Sequence, residues 1–351
     1  MKISNRPLGL HNPPLVIAEM SGNHNQSLNR GIEIVEAAAA AGVHALKLQT
    51  YTAATMTLNL NSPDFQILDK QSPWYGRTLY DLYDEAHTPW DWHPAIIERA
   101  NELGLICFST PFDNTAVDFL ESLNIPAYKI ASFENTDLEL IKRVAQTEKP
   151  MLMSTGMASL EELELSVSVA KQNGCKELVL LKCTSNYPAS PKDSNILTLP
   201  DMRKRFRCQV GLSDHTLGLG AAVAAVAHGA VVIEKHFTLS REDGGVDAKF
   251  SLEPNEMRQL VNETKSAWQA LGEVKYGSNK SEDNSLQFKR SIYLVKDIEA
   301  GTMLDEISVR CIRPGYGLAP KHLPEVLGRK INCSAKRGTP LSWDMLAAEK
   351  I

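Results

Sequence analysis

The sequence predicts an α/β protein: a (β/α)8 barrel followed by a small β-rich domain. Three observations carry that prediction. Eight short aliphatic runs recur between residues 15 and 237. Helical patterns separate them, several closed by a glycine where a helix commonly ends in the left-handed conformation. Polar residues gather at the carboxyl end of nearly every run, where a parallel barrel keeps its active site. An open doubly wound sheet is the competing architecture. It fits less well, because no GxGxxG follows the first run and Gly22 stands alone there.

Taken in order, the runs are Leu15–Glu19, His44–Gln49, Leu105–Thr110, Ala127–Ser132, Pro150–Thr155, Leu178–Thr184, Cys208–Asp214 and Ala230–Phe237. Most are β-branched or aliphatic throughout, as expected of parallel strands buried on both faces. The helical patterns include Asn29–Ala41 closed by Gly42, Leu160–Gln172 closed by Gly174, and Leu217–His228 closed by Gly229. After the eighth run comes Glu253–Leu271, with Met257, Leu260, Val261, Trp268 and Leu271 at helical spacing and Gly272 beyond. One connection is anomalous. Between Tyr51 and Ala100 the chain carries Trp74, Tyr75, Tyr80, Tyr83, Trp90 and Trp92. A connection of that length reads either as a hydrophobic plug or as a lid and specificity insert over the barrel mouth. From Gly272 the sequence turns polar and rich in Gly, Ser, Lys and Glu, which reads as a linker. Short strand runs, Ser291–Val295 and Val309–Ile312, then alternate with turn signals. The expected division is a barrel over 1–275, a linker over 276–289 and a small domain over 290–351.

Composition narrows the function. The 351 residues carry a net charge of -5 with 23% charged side chains of both signs interspersed. That excludes the basic face a nucleic-acid or membrane-surface protein needs, so an anionic substrate must be held by local donors. The six cysteines are scattered without a CxxC pair. They read as reduced thiols of a cytoplasmic protein. No apolar h-region opens the chain and no uninterrupted apolar stretch approaches a membrane span, so neither a signal peptide nor a membrane partner is expected.

Two segments are the most informative, Gly211-Leu-Ser-Asp-His215 and Glu234-Lys-His-Phe-Thr238. Strand side chains alternate with period two, so Ser213 and His215 share one face, and so do Glu234 and His236. Two histidines at the ends of neighbouring strands can meet over one point, as in a metal or oxyanion site. Other strand ends supply Glu19, Lys47 with Gln49, Ser109 with Thr110, Lys129 with Ser132, Ser154 with Thr155, and Thr184 to Tyr187. Two lysines and several hydroxyls suit a phosphate or phosphate-plus-carboxylate ligand. A Schiff-base aldolase centred on Lys129 is the rival from another enzyme class. Lys235 is out of phase with His236, so it is expected to point toward the helices.

Several ordered motifs carry a resemblance. Ile17-Ala-Glu-Met-Ser-Gly-Asn-His-Asn25, Leu46-Lys-Leu-Gln-Thr50, Ser109-Thr-Pro-Phe-Asp113, Tyr128-Lys-Ile-Ala-Ser132, Lys182-Cys-Thr-Ser-Asn-Tyr-Pro188 and the two histidine segments together resemble the sialic acid synthase family. The likeness spans nearly the whole chain, and its last part looks like that family's antifreeze-like (SAF) domain. Leu79-Tyr-Asp-Leu-Tyr83 and Thr88-Pro-Trp-Asp-Trp-His93 look most like the pseudaminic acid branch; N-acetylneuraminate and legionaminate synthesis are the alternatives.

The resemblance implies condensation of phosphoenolpyruvate with an N-acetylated aminosugar, for this branch 2,4-diacetamido-2,4,6-trideoxy-altropyranose, with cleavage of the C–O bond and release of phosphate. Phosphoenolpyruvate would be held by Lys47, Thr110, Lys129, Ser132, Ser154, Asn186 and Ser213. The sugar would meet Gln49, Tyr187, Asp247 and Arg313. A divalent ion on His215 and His236 would polarise the sugar carbonyl, Mn²⁺ before Mg²⁺ or Co²⁺. Glu19 and Glu234 share the task of positioning water or a sugar hydroxyl. The family likeness further implies a homodimer in which the C-terminal domain caps the partner's barrel mouth.

Overall fold

Eight parallel strands close on themselves in the first unit of this computed structural model, which describes residues 1–70 and 72–347. They are β1 (Leu15–Glu19), β2 (Ala45–Thr50), β3 (Ile106–Pro111), β4 (Tyr128–Ile130), β5 (Met151–Ser154), β6 (Leu178–Cys183), β7 (Gln209–Ser213) and β8 (Val232–His236). Each pairs with the next, and β8 returns to β1 with Val232 opposite Leu15 and His236 opposite Glu19. The sequence therefore locates all eight strands. Five are shorter than read: β4, β5, β6, β7 and β8. Pro126 and Pro150 lack the N–H that would extend β4 and β5 backward. At its other end β4 stops where Ser132–Glu134 forms a 3-10 turn.

Helix boundaries follow local chemistry. Leu28–Ala41 is capped by the Ser27 side chain and ends at Gly42, whose φ is 84°. Leu160–Gln172 opens with a Ser159/Glu162 capping box. The pattern from Leu217 becomes helical only at Gly220 and runs to Ala227, because Gly218 at φ +78° cannot sit in a right-handed helix. Pro254–Leu271 starts with proline in the first turn, behind a capping box at Glu253.

Two apolar layers hold the barrel. Between strands and helices lies the larger one, including Val16, Ile34, Leu46, Ile130, Val144, Leu180 and Ile233. Inside the barrel lie Leu15, Ile17, Ala45, Phe108, Ala127, Leu152, Val179, Leu181 and Val232. Ile3 and Leu8, at a two-residue antiparallel ladder of Lys2–Ile3 with Arg6–Pro7, join this inner cluster. A fully buried side chain such as Phe108 stabilises the fold by about 1.5–3 kcal/mol. Gly211 faces the same interior, where an added Cβ would collide with the Val232 carbonyl oxygen. The interior closes there only because that side chain is missing.

The second unit runs from Glu273 onward. Its strands β9 (Ser291–Leu294) and β10 (Val309–Ile312) pair antiparallel. Its own core contains Ile292, Leu294, Leu304, Val309, Val326, Ile331 and Leu341. Within the stretch read as a linker, Lys280–Phe288 forms 3-10 turns with no buried side chain.

Candidate active site at the barrel mouth

The inward side of every strand changes from apolar to polar as the chain approaches its carboxyl end. Continuing the period of two past Ile17, Ala45, Phe108, Ala127, Leu152, Leu181, Gly211 and Val232 reaches Glu19, Lys47, Thr110, Lys129, Ser154, Cys183, Ser213 and Glu234. One polar or ionisable side chain thus comes from each strand, and all eight are buried. Seven were expected from the sequence. Cys183 was not, because a cysteine inside an aliphatic run reads as a small hydrophobe; its parity with Val179 and Leu181 was the available signal.

Charges in this layer neutralise one another. The Lys47 ammonium lies 2.7 Å from Glu19 and 3.3 Å from Glu234. It also donates to the Thr110 hydroxyl at 3.3 Å. Lys129 donates to Ser154 at 2.7 Å and lies 3.9 Å from Glu234. Ser213 donates to Glu234 Oε1 at 2.9 Å. Glu19 Oε1 and Glu234 Oε2 are buried and receive no hydrogen bond from the described residues. Burial opposes ionisation of both carboxyls, with unequal results. Glu19 is pushed up to about 7 despite Lys47, whereas Lys129 and Lys47 outweigh burial at Glu234 and hold it at about 2. Lys47 is raised, since its two carboxylates overcome burial. Burial dominates at Lys129 and lowers it.

The two histidines meet at the rim of this layer, with ring centroids 5.3 Å apart. His215 Nδ1 faces the Thr184 carbonyl at 3.0 Å, a contact that makes Nδ1 the donor and leaves Nε2 free. Cys183 Sγ is 3.9 Å from the same ring nitrogen. Burial works against protonation of His215, but Cys183 more than offsets it and raises the histidine. His236 is driven well down, first by burial and then by His215. Its Nδ1 is buried without a hydrogen bond and lies 3.6 Å from Asp247, which Ser21 engages by a short hydrogen bond. Burial raises Asp247 to about 6. Among the described residues no three His, Cys, Asp or Glu side chains form a closed metal site. The pair of imidazoles supplies two nitrogen donors at the rim, fewer than the three protein ligands typical of a catalytic zinc site.

Beside the rim opens a cavity of about 430 Å³. Gln49, Tyr187, His236 and Asp247 line it together with side chains from the aromatic connection, among them Met56, Ile67, Trp74, Leu79, Leu82 and Tyr83. The connection is thus wall as well as plug. Trp74 Nε1 donates to the Val246 carbonyl at 2.7 Å, and its ring lies 5.7 Å from Tyr187. Trp90 stacks on Phe119 away from the cavity lining. Gly22, alone in its loop, allows that loop to approach the same connection, since a Cβ would lie 2.9 Å from the Ala86 carbonyl.

The remaining predicted residues divide. Ser132 is buried and accepts the Gly156 N–H at 3.2 Å. Asn186 is exposed, and its side chain accepts from the next N–H, that of Tyr187, at 3.1 Å. Lys235 points away from His236 and pairs with Asp214 at 2.8 Å, in keeping with its phase. Arg313 belongs to the second unit and follows β10. Sequence reasoning missed Glu134, which lines the cavity from the 3-10 turn after β4, where strand periodicity no longer reports direction.

The chain resembles known proteins over most of its length. The NeuB family profile matches residues 34–276, and that of the SAF domain matches 289–347. The chain is 42% identical to a pseudaminic acid synthase of Campylobacter jejuni, over 93% of this chain and 94% of that protein. It is 41% identical to one from Helicobacter pylori, over 95% and 97%. A crystal structure of N-acetylneuraminic acid synthetase from Leptospira borgpetersenii in complex with citrate superposes with a TM-score of 0.72 at 29% identity, covering 82% of this chain and 95% of that one.

Proposed function

The chain belongs to the NeuB family, and on that premise we propose that it condenses phosphoenolpyruvate with 2,4-diacetamido-2,4,6-trideoxy-altropyranose and water to give pseudaminic acid and phosphate. The observation that carries this reading is the buried layer at the strand ends, in which two lysines and a set of hydroxyls stand beside two carboxyls of unlike character. Lys47 and Lys129 supply the charge that a phosphoenolpyruvate anion requires. Thr110, Ser132, Ser154 and Ser213 supply hydrogen bonds to its oxygens, with Asn186 as a further donor from the adjoining loop. Gln49, Tyr187 and Asp247 orient the sugar. A divalent ion on His215 and His236, Mn²⁺ before Mg²⁺ or Co²⁺, supplies Lewis acidity toward the sugar carbonyl.

Environments that push two carboxyls apart also divide their work. Glu234 stays ionised and stabilises positive charge developing at C2 of the enol pyruvate. Glu19, near 7, exchanges a proton with the water that adds at C2 or with a sugar hydroxyl. Phosphate then leaves with cleavage of its C–O bond. Family likeness supports a homodimer in which Arg313 of one subunit reaches the sugar at the partner's barrel.

A second reading has one observation in its favour: burial lowers Lys129, as a Schiff-base lysine requires. One experiment separates the two. Phosphate release from phosphoenolpyruvate is measured against a panel of aminosugars with Mn²⁺ in ¹⁸O-water, beside borohydride trapping with a keto acid. Sugar-dependent release with label in the sugar acid supports condensation. Label in phosphate alone, or covalent trapping on Lys129, overturns it.

A further inference from the structure

The cavity beside His236 has an unusual wall for a sugar site. Most of what the aromatic connection contributes is apolar, including Ile67, Leu79 and Leu82, with Phe133 added from the turn after β4. A sugar ring presents hydroxyls, and hydroxyls against such a wall lose water without gaining partners. Methyl groups gain by the same contact. Two polar atoms in this lining are buried without a hydrogen bond among the described residues: His236 Nδ1, described above, and Glu134 Oε2. Leaving an atom such as Glu134 Oε2 unpaired is costly, and a ligand that brings an N–H removes that cost. Burial also pushes the Glu134 carboxyl up to about 7.

We propose that this wall is the specificity element of the site: Ile67, Leu79, Leu82, Tyr83 and Phe133 seat methyl groups of a doubly N-acylated deoxy sugar, and Glu134 accepts the N–H of one acylamino group. The proposal rests on the reaction proposed above and assigns the residues that choose among aminosugars. Selection works in both directions. An acetyl methyl fills apolar space, and a sugar that offers a hydroxyl or charged amine instead strands a polar group there. Ile67 is half-buried and Phe133 is exposed, so both tolerate substitution without loss of the fold.

The test compares 2,4-diacetamido-2,4,6-trideoxy-altropyranose with the same sugar lacking its 4-acetyl group, in wild type, Ile67→Ser, Phe133→Ser, Glu134→Ala and Glu134→Gln. Wild type should prefer the diacetylated sugar, and each serine variant should lower the ratio of the two kcat/KM values by about 10-fold or more. Glu134→Ala should lower kcat/KM for the diacetylated sugar by about 10-fold or more, while Glu134→Gln, which keeps an acceptor, should retain most of it. An unchanged ratio in both serine variants overturns the proposal. Calorimetric binding of the two sugars without phosphoenolpyruvate keeps this test separate from the reaction itself. Wild type that condenses no aminosugar refutes the reaction. Equal wild-type affinity for both sugars refutes the wall, and a preference lost in the serine variants upholds it.

Discussion

Removing Lys47 as Lys47→Met leaves a buried carboxyl pair with too little counter-charge. The ammonium lies 2.7 Å from Glu19 and 3.3 Å from Glu234, and all three side chains are no more than 5% exposed. Breaking a buried pair by deleting one partner costs about 3–5 kcal/mol when the survivor stays charged. Glu19 need not stay charged, because its pKa is already about 7. A carboxyl raised in the folded state contributes stability that is complete below its unfolded pKa and is lost as pH rises through its folded pKa. Without Lys47 that folded pKa moves higher still, so the loss continues at pH values where the wild type has finished titrating. The variant's deficit should therefore grow above pH 7 by up to about 1.36 kcal/mol per pH unit, or about 2 kcal/mol between pH 7 and 8.5. Urea denaturation followed by tryptophan fluorescence at the two pH values measures this directly. We expect a deficit of about 3–5 kcal/mol at pH 8.5 and about 1–3 kcal/mol at pH 7. A deficit independent of pH, or one under about 1 kcal/mol at pH 8.5, would refute the coupled arrangement.

Three further outcomes follow from other parts of the molecule. His24, His44 and His93 are each lowered to about 4, chiefly by burial, and His44 Nδ1 accepts the Val16 N–H at 2.9 Å. Stability should hold above about pH 6.5 and fall toward pH 4 as the unfolded chain takes up protons the folded one refuses. His44→Leu should flatten that slope by about one proton, and an identical slope would exclude His44. Under the metal reading, chelation or His236→Ala should abolish turnover together with Mn²⁺ binding measured by electron paramagnetic resonance; full activity of metal-free protein would sink it. Under the dimer reading, inactive Arg313→Ala and His236→Ala subunits should recover activity on mixing, and no recovery after confirmed subunit exchange would place Arg313 at its own barrel.

The barrel was legible because its strands are buried on both faces and read as aliphatic runs with nothing else to mimic them. The polar layer was legible for a related reason: Glu19, Lys47, Lys129 and Glu234 are charges inside such runs, in phase with the inward-facing apolar residues. Where regular periodicity stops, legibility stops too. Glu134 sits in a 3-10 turn, so no strand or helix phase assigns its direction. Tyr187 and Asn186 are neighbours in one loop, yet one lines the cavity and the other is exposed. The apolar wall is assembled from Met56, Ile67, Leu79 and Leu82 across two short helices and irregular chain. Their convergence depends on tertiary packing that spacing alone does not encode.

The seam where β8 meets β1 has a consequence for synthesis. Leu15 leaves the ribosome more than two hundred residues ahead of its partner Val232. Until then one edge of β1 has no neighbour, and the inner ends of Ile3 and Leu8 have no interior to fill. Pairings between such distant segments form slowly, and an open apolar edge is a template for joining another chain. Nascent chains that stall before His236 are therefore the vulnerable population. The chain's yield in cells should depend more on holdase chaperones and growth temperature than its finished stability would indicate.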